Sequence, residues 1–143
     1  MCTLCGCKTN SIELWAKSGS WVIGIGGNGM GKPNKLIYAM EVESVLPYAD
    51  FKKKHGRKSS YLQGKSISPE ANVLLSRKFY YFGNKAIDIP AELRHIIIPS
   101  QGCKRVSDED VAKLRSYLEG KYHFGKHGHP NNQKLKIRCR GKC

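Results

Sequence analysis

Apolar residues along this chain come in short runs broken by glycine, proline and charge, and the spacing within each run points to a particular element. Residues 21–25, WVIGI, form a compact apolar stretch running into glycines, the pattern of a buried strand. Residues 36–46, LIYAMEVESVL, place Met40, Val42 and Ser44 against Glu41 and Glu43, the period-two alternation of a strand with β-branched and aromatic content. The Leu36, Ala39 and Met40 spacing also suits a helix, and Pro47 ends the element in either case. Residues 73–75 and 79–82 read as further strands closed by Gly83 and Asn84, with Phe79 and Tyr81 facing opposite to Tyr80 and Phe82, so that one pair is core. Beyond Ser107, the spacing of Val111, Leu114 and Leu118 predicts a helix, started by Ser107 and Asp110 as in a capping box and stopped at Gly120. The tail alternates Leu135, Ile137 and Cys139 with Lys134, Lys136, Arg138 and Arg140, a strand with one basic face. Residues 51–68 hold too few apolar positions to pack and are expected to form a loop. Residues 1–20 are polar and cysteine-rich around a patch of Ile12, Leu14, Trp15 and Ala16.

A chain of 143 residues can bury one core, so residues 1–143 are expected to form a single domain. The elements above predict an α+β fold dominated by antiparallel strands. No apolar run approaches the ~18 residues of a membrane span, and no charged-then-apolar leader opens the chain. A soluble, cytoplasmic protein with no membrane partner is the expectation. The formal charge of +14 predicts attraction to polyanions such as nucleic acid or phosphorylated small molecules. It is concentrated in two acid-free segments: Lys52, Lys53, Lys54, Arg57, Lys58 and Lys65 in one basic loop, and Lys121, Lys126, Lys134, Lys136, Arg138, Arg140 and Lys142 towards the C-terminus, where residues 131–143 form a basic segment.

The run WVIGIGGNGMGKP, residues 21–33, matches two phosphate-binding patterns. Gly24, Gly26 and Gly29 fit G-x-G-x-x-G, and residues 26–32 fit the start of G-x-x-x-x-G-K-[ST]. Both patterns need a helix directly after the glycines, because its first-turn N–H groups and dipole hold the phosphate. Pro33 stands where the metal-binding hydroxyl would be, and the residues after it read as a strand. The run is therefore expected to be a turn between antiparallel strands whose glycines adopt positive φ, with exposed N–H groups that can contact an anion.

Candidate chemistry elsewhere is sparse. Cys2, Cys5, Cys139 and Cys143 have spacings that could gather four thiolates around a structural zinc, with Cys7 and Cys103 as substitutes, against a plain reading as small buried or free thiols. If Met1 were removed, Cys2 would be an N-terminal thiol, without a general base evident in sequence. His123, His127 and His129 lie in a glycine-rich stretch that reads either as a solvated loop or as a metal or phosphate contact. Of Phe79, Tyr80, Tyr81 and Phe82, the pair outside the core, with Trp21 or Tyr38, could stack on a base or simply pack. Paired carboxylates and hydrolase or deaminase signatures do not occur, so binding is favoured over catalysis.

Six blocks occur in order: CTLCGCK (2–8), GSWVIGIG (19–26), KLIYAMEVESVLPYADF (35–51), VLLSRKFYYFG (73–83), IPAELR (89–94) and QGCKR (101–105). Together they resemble the second nucleotide-modification-associated domain family, small phage and bacterial proteins found with DNA base hypermodification systems. Family members carry a further N-terminal strand, a longer middle region with a histidine-rich block, and GRGHR where this chain has QGCKR, so this chain reads as a shortened version. Only Cys2 and Cys7 fall on matching positions, which argues against a family-wide four-cysteine site. More distantly the pattern is similar to PUA-like modules, including EVE and YTH domains. That resemblance implies a small β-barrel or curled sheet with a few flanking helices and a nucleobase pocket.

Strand, turn and resemblance together nominate Cys7, Lys8, Trp21, Gly24, Gly26, Asn28, Tyr38, Tyr81, Lys104 and Arg105 as ligand-binding. Phosphate attraction is assigned to Lys52, Lys53, Lys54, Arg57, Lys58, Lys134, Lys136, Arg138 and Arg140. The leading expectation is a module that binds a nucleobase or nucleotide in DNA with modified bases. A second is an anti-defence sponge, acting as a homo-oligomer, that holds a cyclic nucleotide or ADP-ribose derivative. A third is an enzyme of base hypermodification.

Overall fold

The computed structural model describes residues 1–5, 12, 15–27, 31–56, 71–100 and 102–130. These residues form strands β1 (Cys2–Cys5), β2 (Trp21–Ile25), β3 (Lys35–Glu41), β4 (Ser44–Pro47), β5 (Asn72–Ser76), β6 (Phe79–Tyr81), β7 (Ile87–Asp88) and β8 (Gly125–Lys126), with helices α1 (Tyr48–His55) and α2 (Asp108–Glu119). Two 3₁₀ segments, Gly83–Lys85 and Ala91–Ile96, lie between β6 and α2. The strands make two sheets. One has the order β1-β5-β4, all antiparallel; the other has β2-β3-β6-β8, with β7 also on β3 and only β6–β8 parallel. The α+β class is as expected, built from two open sheets. Among the described residues no helix is long and apolar enough to cross a membrane.

The layers follow from strand alternation. Val22, Met40, Val42 and Leu74 form the core between the sheets, joined by Cys2, Leu4, Ile12, Val45 and Phe79. On the outer face of the second sheet, Ala39, Tyr80 and Phe82 pack under Leu93, Ile96, Leu114 and Leu118. On the outer face of the first, Val73 and Leu75 pack against Phe51 of α1. Tyr80 and Phe82, each 1% exposed, are thus the core pair of the aromatic run. Helix α2 starts where Ser107 Oγ accepts the Asp110 N–H at 3.1 Å and stops at Gly120, as the capping pattern predicts.

Two expectations need correction. The strand predicted over residues 36–46 is two strands in different sheets. At Val42 and Glu43 the chain crosses over, with Val42 N–H donating to Ser20 O and Glu43 N–H to Leu75 O. The crossover hides in the apolar pattern because Met40, Val42 and, one residue out of phase, Val45 all face the same core between the sheets. The loop predicted from residue 51 begins instead as α1, because a single aromatic suffices to seat it: Phe51 is 1% exposed while Lys52, Lys53 and Lys54 stay in solvent. The remainder of that segment, and the strand predicted from Lys134 to Arg140, lie outside the described residues.

The glycine run joins β2 to β3 as a hairpin, with a strand rather than a helix after it. Asn34 sits at φ 60°, donating its N–H to Gly26 O at 2.9 Å, and Gly26 N–H donates to Lys35 O at 2.8 Å. Gly26 is required by crowding, since a Cβ there would lie 2.1 Å from the Lys32 carbonyl oxygen. At Gly24 the Tyr38 ring of the paired strand lies across the backbone, 2.0 Å from where a Cβ would be.

Replacing Gly24 with alanine must displace that ring, so Gly24→Ala should destabilise the protein by about 1–3 kcal/mol in urea unfolding. The cost should shrink in a Tyr38→Ala background, where the obstacle is gone; equal costs in both backgrounds would contradict the contact.

Candidate functional site

Beside β2 lies a cleft of about 1100 Å³. One wall is β2 itself, with Trp21, Ile23 and Ile25. The facing wall is the stretch from Ile96 through Ile98, Cys103, Lys104, Arg105 and Val106 to the start of α2. Trp15 and Ala16 close one end, and Gly26, Gly27 and Asn34 form a rim. Of the lining residues, Trp21, Ile23, Ile25 and Val106 pack against the core under α2, which gives the cleft an apolar side among polar ones.

The facing wall is irregular backbone, and a polar network fixes its ends. Asp110 accepts hydrogen bonds from His95 Nε2 at 2.9 Å and Ser107 Oγ at 2.7 Å, so one carboxylate ties the 3₁₀ segment to the first turn of α2. Lys104 Nζ donates to the His95 carbonyl at 2.7 Å, pinning the middle of the wall. The His95 and Ser107 donors hold the Asp110 carboxyl below its ordinary pKa.

Cations at the cleft sit against its aromatic rings. The Arg105 guanidinium lies 4.9 Å from the ring centroid of Trp15, itself 42% exposed, and that of Arg115 lies 5.3 Å from Trp21. Lys17, Lys104 and Arg105 border the cleft, with Asp108 as the acid among its lining residues. Chemically the cleft sets aromatic and apolar surface beside cationic side chains.

Of the nominated ligand residues, Trp21, Gly26, Lys104 and Arg105 come together here. Gly24, Tyr38 and Tyr81 do not: they are cross-strand neighbours in one row. Burial, and secondarily the nearby Cys2 thiol, pushes the Tyr38 phenol up to about 12 and raises that of Tyr81. Burial also raises the Cys2 thiol, against the lowering effect of the N-terminal amino group. Cys7, Lys8 and Asn28 lie outside the described residues. Lys52, Lys53 and Lys54 are on α1, across both sheets from the cleft; Arg57, Lys58, Lys134, Lys136, Arg138 and Arg140 are outside the described residues.

For zinc, Cys2 and Cys5 are in β1, while Cys139 and Cys143 lie outside the described residues. Among the described residues no three His, Cys, Asp or Glu side chains are grouped to hold a metal. The histidine stretch is tied into the fold: His127 Nε2 donates to His123 O at 2.8 Å and its ring stacks on Phe82 at 5.2 Å. Sequence reasoning missed Trp15, Arg115 and the His95–Asp110 pair. Only Trp15 left a signal, as the large aromatic in an otherwise polar N-terminal stretch.

The family profile described as nucleotide modification associated domain 2 matches residues 1–66 and 51–137. No curated protein and no solved structure matches significantly.

Because the folded-state pKa of Asp110 is depressed, its contribution to stability is present above the unfolded value, near 4, and is lost as pH falls through the folded value. Asp110→Asn should therefore lower the melting temperature at neutral pH and lose that deficit in acid. A deficit unchanged from pH 7 to pH 2 would show that the carboxylate charge has no part in holding the wall.

Proposed function

The chain belongs to the nucleotide modification associated domain 2 family, and from that premise we propose that its cleft binds a nucleobase or nucleotide, including the modified bases of phage and bacterial DNA. The observation that carries this reading is the convergence of Trp15, Trp21, Lys104 and Arg105 on one cleft with a glycine rim. A base stacked on a tryptophan gains about 1–3 kcal/mol whatever its identity. The phosphate then meets Arg105 and the Lys104 ammonium, which commits one of its three donors to His95. On this reading the paired sheets are an open variant of a PUA-like module that holds the base at a sheet edge.

Lys52, Lys53 and Lys54 take a different part. Lying across both sheets, beyond a Debye length of about 8–10 Å, they add little to the field inside the cleft. They suit the backbone of a polymer, as a DNA-binding surface. The same separation favours a second reading, since a ligand small enough for the cleft needs none of them. In that case the protein sequesters a free nucleotide-derived signal, such as a cyclic nucleotide or an ADP-ribose derivative.

The protein has two tryptophans and both border the cleft, so intrinsic fluorescence reports occupancy. Titration with single-stranded oligodeoxynucleotides between about 50 and 200 mM salt should give binding that falls with log salt at about −0.7 per phosphate engaged. Arg105→Ala should weaken binding and flatten that slope by about one unit. Binding of a mononucleotide or cyclic dinucleotide that is tight, salt-insensitive and released unchanged would select the second reading. Fluorescence unmoved by any of these ligands would sink both.

A further inference from the structure

Val22 is the odd member of the cleft lining. Its side chain is 6% exposed and belongs to the core between the sheets, yet the residue borders the cleft. What meets the cleft at that point is the backbone edge of β2.

Hydrogen bonding assigns the groups on that edge. Val42 N–H donates to Ser20 O and Gly26 N–H to Lys35 O, each at 2.8 Å. Val22 pairs with Met40 and Gly24 with Tyr38, so antiparallel alternation turns the N–H and C=O of Val22 and Gly24 towards β3. The far side of β3 agrees: Ile37 O accepts from Phe82 N–H and Glu41 N–H donates to Lys78 O. Those bonds give Ile37 and Glu41 to the β6 side and leave Tyr38 and Met40 for β2; beyond the register shift between Gly24 and Ile25 the phase changes, and Lys35 O meets Gly26 N–H. Trp21 and Ile23 consequently aim their N–H and C=O away from the sheet, where no described strand pairs with them.

We propose that this edge reads the hydrogen-bonding edge of the base, so that the cleft accepts only bases whose Watson–Crick edge is free. The ligand is then a mononucleotide or an unpaired base in a single strand, never a base within a duplex. This rests on the nucleotide reading of the cleft. In an extended strand each outward residue presents one donor and one acceptor side by side. A base presents a matching neighbouring pair, the amino group and N1 of adenine or N3–H and O4 of thymine, the edge that proteins read on unpaired bases. A base seated against β2 between Ile23, Ile25 and Ile98 displaces water from the outward groups of Trp21 and Ile23, and one that does not match them fails to replace those hydrogen bonds, which weakens binding roughly tenfold or more. Backbone readout also leaves the C5 position of a pyrimidine unread, so bulky C5 modifications are tolerated. Lys104 and Arg105 make an anionic nucleotide the occupant the edge favours over an extended peptide.

The test uses the intact chain and the tryptophan signal. Deoxynucleoside monophosphates are compared with forms methylated at N1 of the purines or N3 of the pyrimidines, and with 5-hydroxymethylcytidine monophosphate. A short single strand is compared with the same sequence in duplex at fixed salt. Blocking the Watson–Crick edge should weaken binding about tenfold or more, as should pairing into a duplex, while the C5 substituent changes it by less than about threefold. Ile23→Pro removes one outward N–H at an edge position, where proline costs no ladder bond, and should weaken binding similarly; Ile23→Val keeps the N–H and controls for packing. Equal affinity for blocked and free bases, or for duplex and single strand, overturns the proposal and leaves nucleotide binding intact. If no nucleotide or strand binds, or an extended peptide binds in their place, both fall.

Discussion

Strand β3 is covered on both faces, and the other layers are arranged around it. Ala39 and Met40 are adjacent, point to opposite sides, and are both fully buried. Ala39 faces α2 and the 3₁₀ segment, while Met40 faces the other sheet. On its edges β3 pairs with β2, with β6 and with β7. A polar side chain at either position would lose water without gaining a partner, so the alternation of residues 36–41 is constrained on both sides at once. β2 is also packed on both faces, by Val22 on one and by Trp21, Ile23 and Ile25 on the other, but among the described strands it is paired along one edge alone. As the sheet's terminal strand it is free to border a cleft.

The cleft combines two kinds of rigidity. β2 is held by its ladder to β3, which places Trp21 and the glycine rim with strand precision. The facing wall has no ladder and depends on His95, Lys104, Ser107 and Asp110. That wall is anchored below by Leu93 and Ile96, both buried, and above by the capped end of α2. Loops carried by such a scaffold are where binding chemistry usually sits, because their backbone can vary without disturbing the core.

Strands β2, β3, β5 and β6 and the long helix were readable from periodicity and capping, since those signals are local, whereas β1 and the two-residue β7 and β8 were not. The break at Val42 and Glu43 was not, because the two sheets share one core and the crossover shifts its core-facing positions by a single residue, from Met40 and Val42 to Val45. Helix α1 was hidden by composition: one buried phenylalanine among lysines carries little periodic signal. The site was half readable. Trp21 and Gly26 stand out beside a glycine turn, and Lys104 and Arg105 entered through family resemblance. Trp15 and Arg115 required tertiary structure, because Arg105 over Trp15 and Arg115 over Trp21 join residues from segments far apart in the chain.

β1 illustrates what this topology asks of synthesis. Cys2 pairs with Ser76 and Cys5 with Val73, and among the described strands β5 alone pairs with β1. At roughly 5–20 residues per second, the ribosome leaves β1 without its partner for about 4–15 s. During that interval a strand carrying Leu4 has both edges open, the condition under which nascent chains pair with one another. Its completion closes the core around Tyr38 late, so β1 is made well before it can be built in.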